Sequence, residues 1–478
     1  MRWCLFAILL AAGCGHHHLD QIDAGSGSAP PPPDAACTAG LACFQVDCAP
    51  KNLPPTSLSG TVYAPNGTLP LYGVNVYVPA ADPGPLTTGV TCDKCSDALP
   101  GGSLTSATTD EAGHFTLLDV PATGNVPVVI QVGKWRRQLV IPQVAACQDT
   151  PVATVDTTLP KSRSDASPET AVDAGTGAPK VDLPYIAITT GAFDALECLV
   201  LKLGVDPSEI TNDTGGGHVQ LYANAGAGAG HGEGANQFVA GWAGGSGASF
   251  GDAQALWATT QSLSRYDITM FSCEGGQYAT TKPQSAMQAV HDYASAGGRV
   301  FMSHWHNIWI GGEGGTPSHG LADWESVATF DYDAPEDQDD TIASVDESSQ
   351  AKGSAFATWL VDVGASTTRD QIPISEARYT LASNDPAQSE RWAYIDPALP
   401  ITNSHTSVQD LQFTTPLDQP EGSRCGKVVF SDMHVASGST SSSSVPYPGG
   451  CAMTDLTPQE KALAFIFFDI ESCVGVVQ

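Results

Sequence analysis

The stretch from Tyr266 to His306 constrains this chain most. Tyr266-Asp-Ile-Thr-Met-Phe-Ser-Cys-Glu-Gly-Gly-Gln277 is an apolar run closed by glycines, and Gly297-Gly-Arg-Val-Phe-Met-Ser-His-Trp-His306 is a second. The pattern predicts a buried strand over Asp267 to Ser272, a helix over about Gln284 to Ala296, and another buried strand over Val300 to Met302. Two parallel strands need a crossover connection, and ligands collect beyond the carboxyl ends of such strands. Cys273, Glu274, His304 and His306 are therefore expected on one rim. Any chemistry is expected there.

The flanking sequence extends this pattern over residues 182–478. Strand Tyr185-Ile-Ala-Ile-Thr-Thr190 leads through Gly191 to a helix over Ala195 to Leu203, and His218-Val-Gln-Leu-Tyr222 is a further strand. Ala355 to Val363 reads as helix. Gly426-Lys-Val-Val-Phe-Ser-Asp-Met-His434 is a last buried strand ending on a histidine. Thr457-Pro-Gln-Glu460 is a capping box with Pro at the first helical position, and Leu463, Ile466, Phe467 and Ile470 share one face of the helix it opens. The glycine-rich segment Gly215 to Ser249 holds no Gly-x-Gly-x-x-Gly opening a helix after a strand and no Walker sequence, which excludes nucleotide binding and leaves a loop over the rim. Glu313 to Gln350 reads as a solvated acidic loop without EF-hand spacing.

Residues 57–160 have a different character. Leu58 to Tyr63, Gly73 to Val78, His114 to Leu118 and Val126 to Val132 are short strands separated by turns, the pattern of a β-sandwich. Lys134-Trp-Arg-Arg137, the one basic cluster, fits a solvated strand face or an interdomain contact. Residues 161–181, rich in Ser, Asp, Ala, Gly and Pro, read as a linker, and residues 15–56 as a tether followed by a small Cys-rich segment. His16 to His18 lie in that tether, as a metal tract or as plain spacer.

The run Gly60-Thr-Val-Tyr-Ala-Pro-Asn-Gly67, Pro70-Leu-Tyr-Gly-Val-Asn-Val76, Thr109 to Phe115 and Leu118-Asp-Val-Pro121 resembles the carboxypeptidase regulatory-like domain, a transthyretin-like sandwich; the resemblance implies an accessory or adhesive module. At the other end, Met-Arg-Trp-Cys-Leu-Phe-Ala-Ile-Leu-Leu-Ala-Ala-Gly-Cys14 has too short an apolar run to span a bilayer. Ala-Ala-Gly-Cys resembles a bacterial lipobox, which implies cleavage before Cys14, its lipidation, and attachment to the cell envelope, on the periplasmic face or on the outer surface of the outer membrane. An ordinary signal peptide cut near Gly13 is the alternative. Asp and Glu number 51 against 20 Lys and Arg, a formal charge of -31, which argues against nucleic acid as a partner.

An exported chain is free to form disulfides. Cys425 precedes the last strand and Cys473 follows the helix returning antiparallel to it, so the two are expected to bond at the bottom of the sheet. Cys198, Cys273 and Cys451 belong to the upper rim, where two can pair and one stay free. Cys92-Asp-Lys-Cys95 is expected in structural disulfides, with Cys147 another participant.

Strand, Cys-Glu-Gly-Gly-Gln, helix fits Cys-x-Gly-x-Gln of the class I glutamine amidotransferases, and residues 184 to 473 resemble that flavodoxin-like superfamily, including its ThuA-like branch. The resemblance implies a multidomain chain: a transthyretin-like sandwich followed by an α/β flavodoxin-like domain with a mostly parallel sheet. It casts Cys273 as nucleophile, His434 as base, and Glu274 and Asp432 as supporting acids. Phe271 stands where the family has Gly, and Ala436 where it has the Glu that orients the histidine. Three readings follow. A degenerate site serves binding, with Gln277, Trp305, Trp309 and His306, beside Tyr278, suiting a glycan or an envelope protein. A thiol hydrolase uses Cys273 and His434. A zinc site draws on His304, His306 and His434.

Overall fold

A computed structural model describes residues 40–224, 234–242, 248–315, 320–321, 323–334, 340–396, 407–435 and 445–475. The signal segment with Cys14, the tether with His16 to His18, and most of the acidic run at 336–340 lie outside these residues. No helix among the described residues is long and apolar enough to cross a membrane.

The amino-terminal unit is β-rich. Its strands are β1 (Ser57–Thr61), β2 (Asn75–Pro79), β3 (Ser103–Thr108), β4 (His114–Leu118), β5 (Gly124–Val132), β6 (Trp135–Gln143), β7 (Asp149–Pro151) and β8 (Val181–Asp182). They form a three-stranded sheet, β4-β1-β7, and a five-stranded sheet, β3-β2-β5-β6-β8. Alternating residues of both, Leu58, Phe115 and Leu117 from one and Val76, Val78, Val128 and Ile130 from the other, enter one apolar core. The basic cluster is not solvated: Arg136 and Arg137 are buried and paired with Asp182 and Asp165, while Lys134 reaches Asp267 at 2.5 Å in the second unit. The segment read as a linker is thereby fastened along β6 by Asp165, by a bridge between Thr170 and Leu139, and by β8.

The second unit contains β9 (Ile186–Thr189), β10 (Ile210–Thr211), β11 (Val219–Ala223), β12 (Gly251–Asp252), β13 (Ile268–Phe271), β14 (Arg299–Ser303), β15 (Ala328–Phe330), β16 (Thr341–Val345), β17 (Gln371–Ile374), β18 (Leu381–Asn384), β19 (Glu390–Tyr394), β20 (Val408–Thr415) and β21 (Gly426–Ser431). The main sheet runs β10-β11-β9-β13-β14-β21-β20-β19-β16-β17, with β12 beside β11. From β10 to β21 every pairing is parallel; from β21 to β17 every pairing is antiparallel. The sheet is therefore mixed, with six parallel pairings, β12 included, and four antiparallel ones. The antiparallel half escaped the sequence reading because β16, β17 and β19 are four or five residues long, because the longer β20 interrupts its apolar residues with Gln409, Asp410 and Gln412, and because β15 and β16 lie in what reads as an acidic loop. Setting aside the two-residue β10, the long parallel strands numbered in chain order stand 2-1-3-4-5, so the order reverses between β9 and β13.

Among the described residues, the helices of seven or more residues that frame this sheet are α1 (Leu196–Lys202), α2 (Gln284–Ser295), α3 (Gly353–Asp362) and α4 (Pro458–Glu471). The capping box of α4 is formed, with Thr457 and Glu460 reciprocally bonded. The helix packs on β14, β17 and β21 of the sheet. It is covered on the other side too, because Phe465 stacks on Tyr72, and Phe468 and Phe467, the latter from the expected apolar face, contact Trp135 of the β-rich unit. The two units accordingly share one core.

The disulfides enforce the same contact. Cys92 pairs with Cys425, Cys95 with Cys473, Cys48 with Cys147 and Cys198 with Cys451. Cys425 and Cys473 do lie at the bottom of the sheet, yet they are not bonded to each other. The Cys92-Asp-Lys-Cys95 loop packs beneath the sheet, with the Cys95 amide donating to Val474, and offers each a nearer partner. Cys198 and Cys451 pair at the rim and leave Cys273 free, as expected. Such bonds mark a protein of an extracytoplasmic, oxidising compartment.

Trypsin cleaves after Lys94 and after Arg424, which separates all four cysteines at the bottom of the sheet. A non-reduced peptide map is expected to link Cys425-Gly-Lys427 to the peptide ending at Lys94, and the Cys95 peptide to the carboxyl-terminal one. A Cys425–Cys473 link would contradict this connectivity.

Candidate functional site

Because β9, β13, β14 and β21 are parallel and in register, with Phe271 opposite Thr189 and Met302, and Ser303 opposite Ser431, their carboxyl tips end level. The residues just beyond them meet. Cys273, His304 and His434 place one ligand atom each within 4.8 Å of one another. Cys273 Sγ is 3.3 Å from His304 Nδ1, and the two imidazoles cross edge-on at 5.2 Å between centroids. Cys273 is the free cysteine among the described residues.

Backbone geometry makes this closeness possible. A Cβ on Gly191, at the end of β9, would lie 2.1 Å from the Cys273 carbonyl oxygen, so glycine is needed for β9 and β13 to close up. His304 has φ of 44°, the left-handed region, which turns the chain abruptly as β14 ends and swings its ring toward the thiol.

One carboxylate ties the tips together. Asp194, just after β9, accepts from Ser303 Oγ at 2.5 Å and from the amides of Val435 and Ala195 at 2.8 Å each. It thus holds the residue before His304 and the residue after His434.

Burial sets the protonation states. It pushes the Cys273 thiol up to about 12, although the amides of Trp305 and Gly275 pull the other way. It also pushes His304 well below its ordinary value, with His434 beside it adding to the effect, and His434 down to about 3. Asp194 rises to about 6 by burial, against its three donors. At neutral pH the centre is a neutral thiol between two neutral imidazoles.

Several expected site residues are employed elsewhere. Since the chain leaves extended geometry at His304, the two-residue spacing no longer puts His306 on the same side. The His306 ring stacks parallel to Trp309 and takes a 2.7 Å bond from its indole, and both side chains are buried, so neither forms part of a metal set or a glycan platform. Glu274 is sealed in an ion pair with Lys282 at 2.6 Å and does not face the thiol. The Gln277 amide is spent on Asn307, Gly312 and Gly314, fastening the loop after β14. Asp432 accepts from Thr380 Oγ1 and the Leu381 amide, so its carboxylate fastens the start of β18, in the separate β15-β18 pair, and does not orient His434. Finally, α2 begins only at Gln284, and Cys273 has no positive φ, so the thiol sits neither on a strained elbow nor at a helix amino terminus.

Around the centre, Trp305 and Tyr278 are partly exposed, and Phe193, 47 % exposed, lies over Gly275. Gly234, from the glycine-rich segment, packs on Gly191 at the same rim. Asp194 and Arg378 were missed by the sequence reading. Asp194 stands four residues past a strand end, a position that could have flagged it. Arg378, buried and close enough to bias both imidazoles, comes from a connection before β18 with no motif around it.

Fold and site together define a multidomain extracytoplasmic protein, a β-rich unit stapled to an α/β unit that carries a buried Cys-His-His centre. No protein-family model matches the chain, and no curated protein matches it. Among solved structures, a ThuA-like protein from Bacteroides uniformis is 12% identical, with 61% of this chain and 94% of that one covered and a TM-score of 0.29. Two type II cohesin–X-dockerin complexes from Acetivibrio cellulolyticus are also similar. One is 17% identical over 33% of this chain and 75% of that one, with a TM-score of 0.16; the other is 19% identical over 34% and 88%, with a TM-score of 0.17.

Two outcomes are expected. In metal-free folded protein, Cys273 should alkylate at pH 8 at least about a thousandfold more slowly than an ordinary cysteine, since a thiol near 12 is only ~0.01 % ionised there. The rate should rise about tenfold per pH unit; a fast reaction at pH 7 would reveal an activated thiolate. Asp194→Ala orphans a buried hydroxyl and two buried amides, which should lower stability by about 3 kcal/mol in denaturant titration. A loss under about 1 kcal/mol would show that the clamp is dispensable.

Proposed function

We propose that this protein is a lipid-anchored extracytoplasmic envelope protein, held through Cys14, whose α/β domain binds a glycan or an envelope protein and does not turn it over. The domains in this reading are a signal peptide at 1–14, a tether and Cys-rich segment at 15–56, a carboxypeptidase regulatory-like sandwich at 57–160, a connection at 161–181, and an amidotransferase-like, ThuA-like domain at 182–478. The 2-1-3-4-5 strand order supports a flavodoxin-like assignment for the last of these, and in that order ligands sit where the strand order reverses.

The observation that carries the binding reading is the condition of the thiol. Cys273 is fully buried, held protonated, and without a helix dipole, while the nearby groups a glycan needs, partly exposed Trp305 and Tyr278 and exposed Phe193, surround it at the surface. The 3.3 Å contact of Cys273 with His304 favours one alternative, a thiol hydrolase with His304 as base.

Sedimentation of the mature chain with insoluble peptidoglycan and envelope polysaccharide tests both. Replacing Phe193 and Trp305 together by Ala should weaken retention by at least about tenfold, two lost stacking contacts, whereas Cys273→Ser should leave it unchanged. Release of soluble fragments that Cys273→Ser and His304→Ala both abolish would replace binding with hydrolysis.

A further inference from the structure

The Cys-His-His centre has the makings of a metal site of a different composition from the all-histidine set that the sequence suggests. Its donors are one sulfur and two imidazoles, all buried: Cys273 is 0%, His304 2% and His434 5% exposed. Around a tetrahedral zinc, a thiolate sulfur and an imidazole nitrogen stand about 3.6 Å apart, given bonds near 2.3 and 2.0–2.1 Å. Cys273 Sγ and His304 Nδ1 are 3.3 Å apart, and all three donor atoms fall within 4.8 Å. A side-chain adjustment of about an ångström closes the set. The same three groups explain themselves poorly without an ion. His434 Nε2 is buried with no hydrogen-bond partner, and His304 Nδ1 meets the Cys273 thiol, so both nitrogens are open to an ion.

We infer that Cys273, His304 and His434 bind a borderline-soft transition metal ion, zinc or copper, as three of its ligands. Thiolate and imidazole select ions of this class, and no carboxylate among the three donors would favour calcium or magnesium. On binding, the Cys273 S–H bond breaks, an S–metal bond forms, and one proton is released to solvent. The charge left on the centre is offset by Asp194, which also holds the backbone on the far side of both histidines. Sulfur ligation further explains why this cysteine, alone among those described, escapes disulfide formation in an oxidising compartment.

The test uses the folded, disulfide-bonded mature chain purified from cells grown with zinc, copper or cobalt. Elemental analysis is expected to find stoichiometric zinc or copper, and so to tell the two apart. The cobalt form should show a near-ultraviolet thiolate-to-cobalt charge-transfer band. Cys273→Ser should remove that band, and His304→Ala and His434→Ala should weaken metal retention against a chelator by at least about tenfold. His306→Ala should keep the band, as should replacement of His16, His17 and His18 by Ala, because the band reports sulfur and not a histidine tract. Substoichiometric metal with no charge-transfer band in the unmutated chain overturns the inference, and so does a band that survives Cys273→Ser.

Discussion

Helix α4 must be covered on every side, and that requirement organises the molecule. Eight of its fourteen residues, from Ala462 to Phe468 and at Ile470, are buried hydrophobics. A helix apolar all round cannot lie on a surface. One face therefore meets the main sheet while Phe465, Phe467 and Phe468 meet Tyr72 and Trp135 of the β-rich unit. At its far end Asp469, held down to about 2 although buried, is ion-paired with Lys352 and Lys427. The Cys92–Cys425 and Cys95–Cys473 bonds then close the same seam covalently. Relative motion of the two units is suppressed, so the rim rests on a rigid base.

At the opposite edge the constraint is local and electrostatic. Parallel strands deliver Cys273, His304 and His434 to one place, and Asp194 fixes how they sit by gripping Ser303 and Val435. The site is buried, which raises the thiol and lowers the imidazoles, the opposite of what a cysteine nucleophile requires. A soft metal bound there would supply in one step the charge the thiolate needs. Binding at the surrounding aromatic residues and metal retention beneath them are compatible in one rim.

Much of this was legible from local pattern. The strands at Asp267 and Val300 and the helix between them were found to within a residue or two, because an apolar run and a 3.6-residue period are properties of the segment itself. The errors share one origin. His306 was grouped with His304 by carrying strand geometry past the point where the strand ended, and a single left-handed residue broke that extrapolation. Glu274 looked catalytic beside a cysteine, but Lys282, eight residues on, takes its carboxylate. The antiparallel strands β16 to β19 were missed because a short half-polar strand has no signature apart from its partners, and β20 because Gln409, Asp410 and Gln412 break its apolar run.

The sequence by itself determined the long apolar strands and the helices beside them, that several of those strands are parallel, and hence which edge collects the cysteine and histidines. It also determined that one rim cysteine would be left over. Only the tertiary structure decided that Cys92 and Cys95 reach across 333 and 378 residues to Cys425 and Cys473, that α4 is covered on both faces, and that Cys273 and not His306 completes the trio. Period and burial act between near neighbours, whereas the choice of a distant partner depends on which packed surfaces come within a few ångströms, and that distance is set by the whole fold at once.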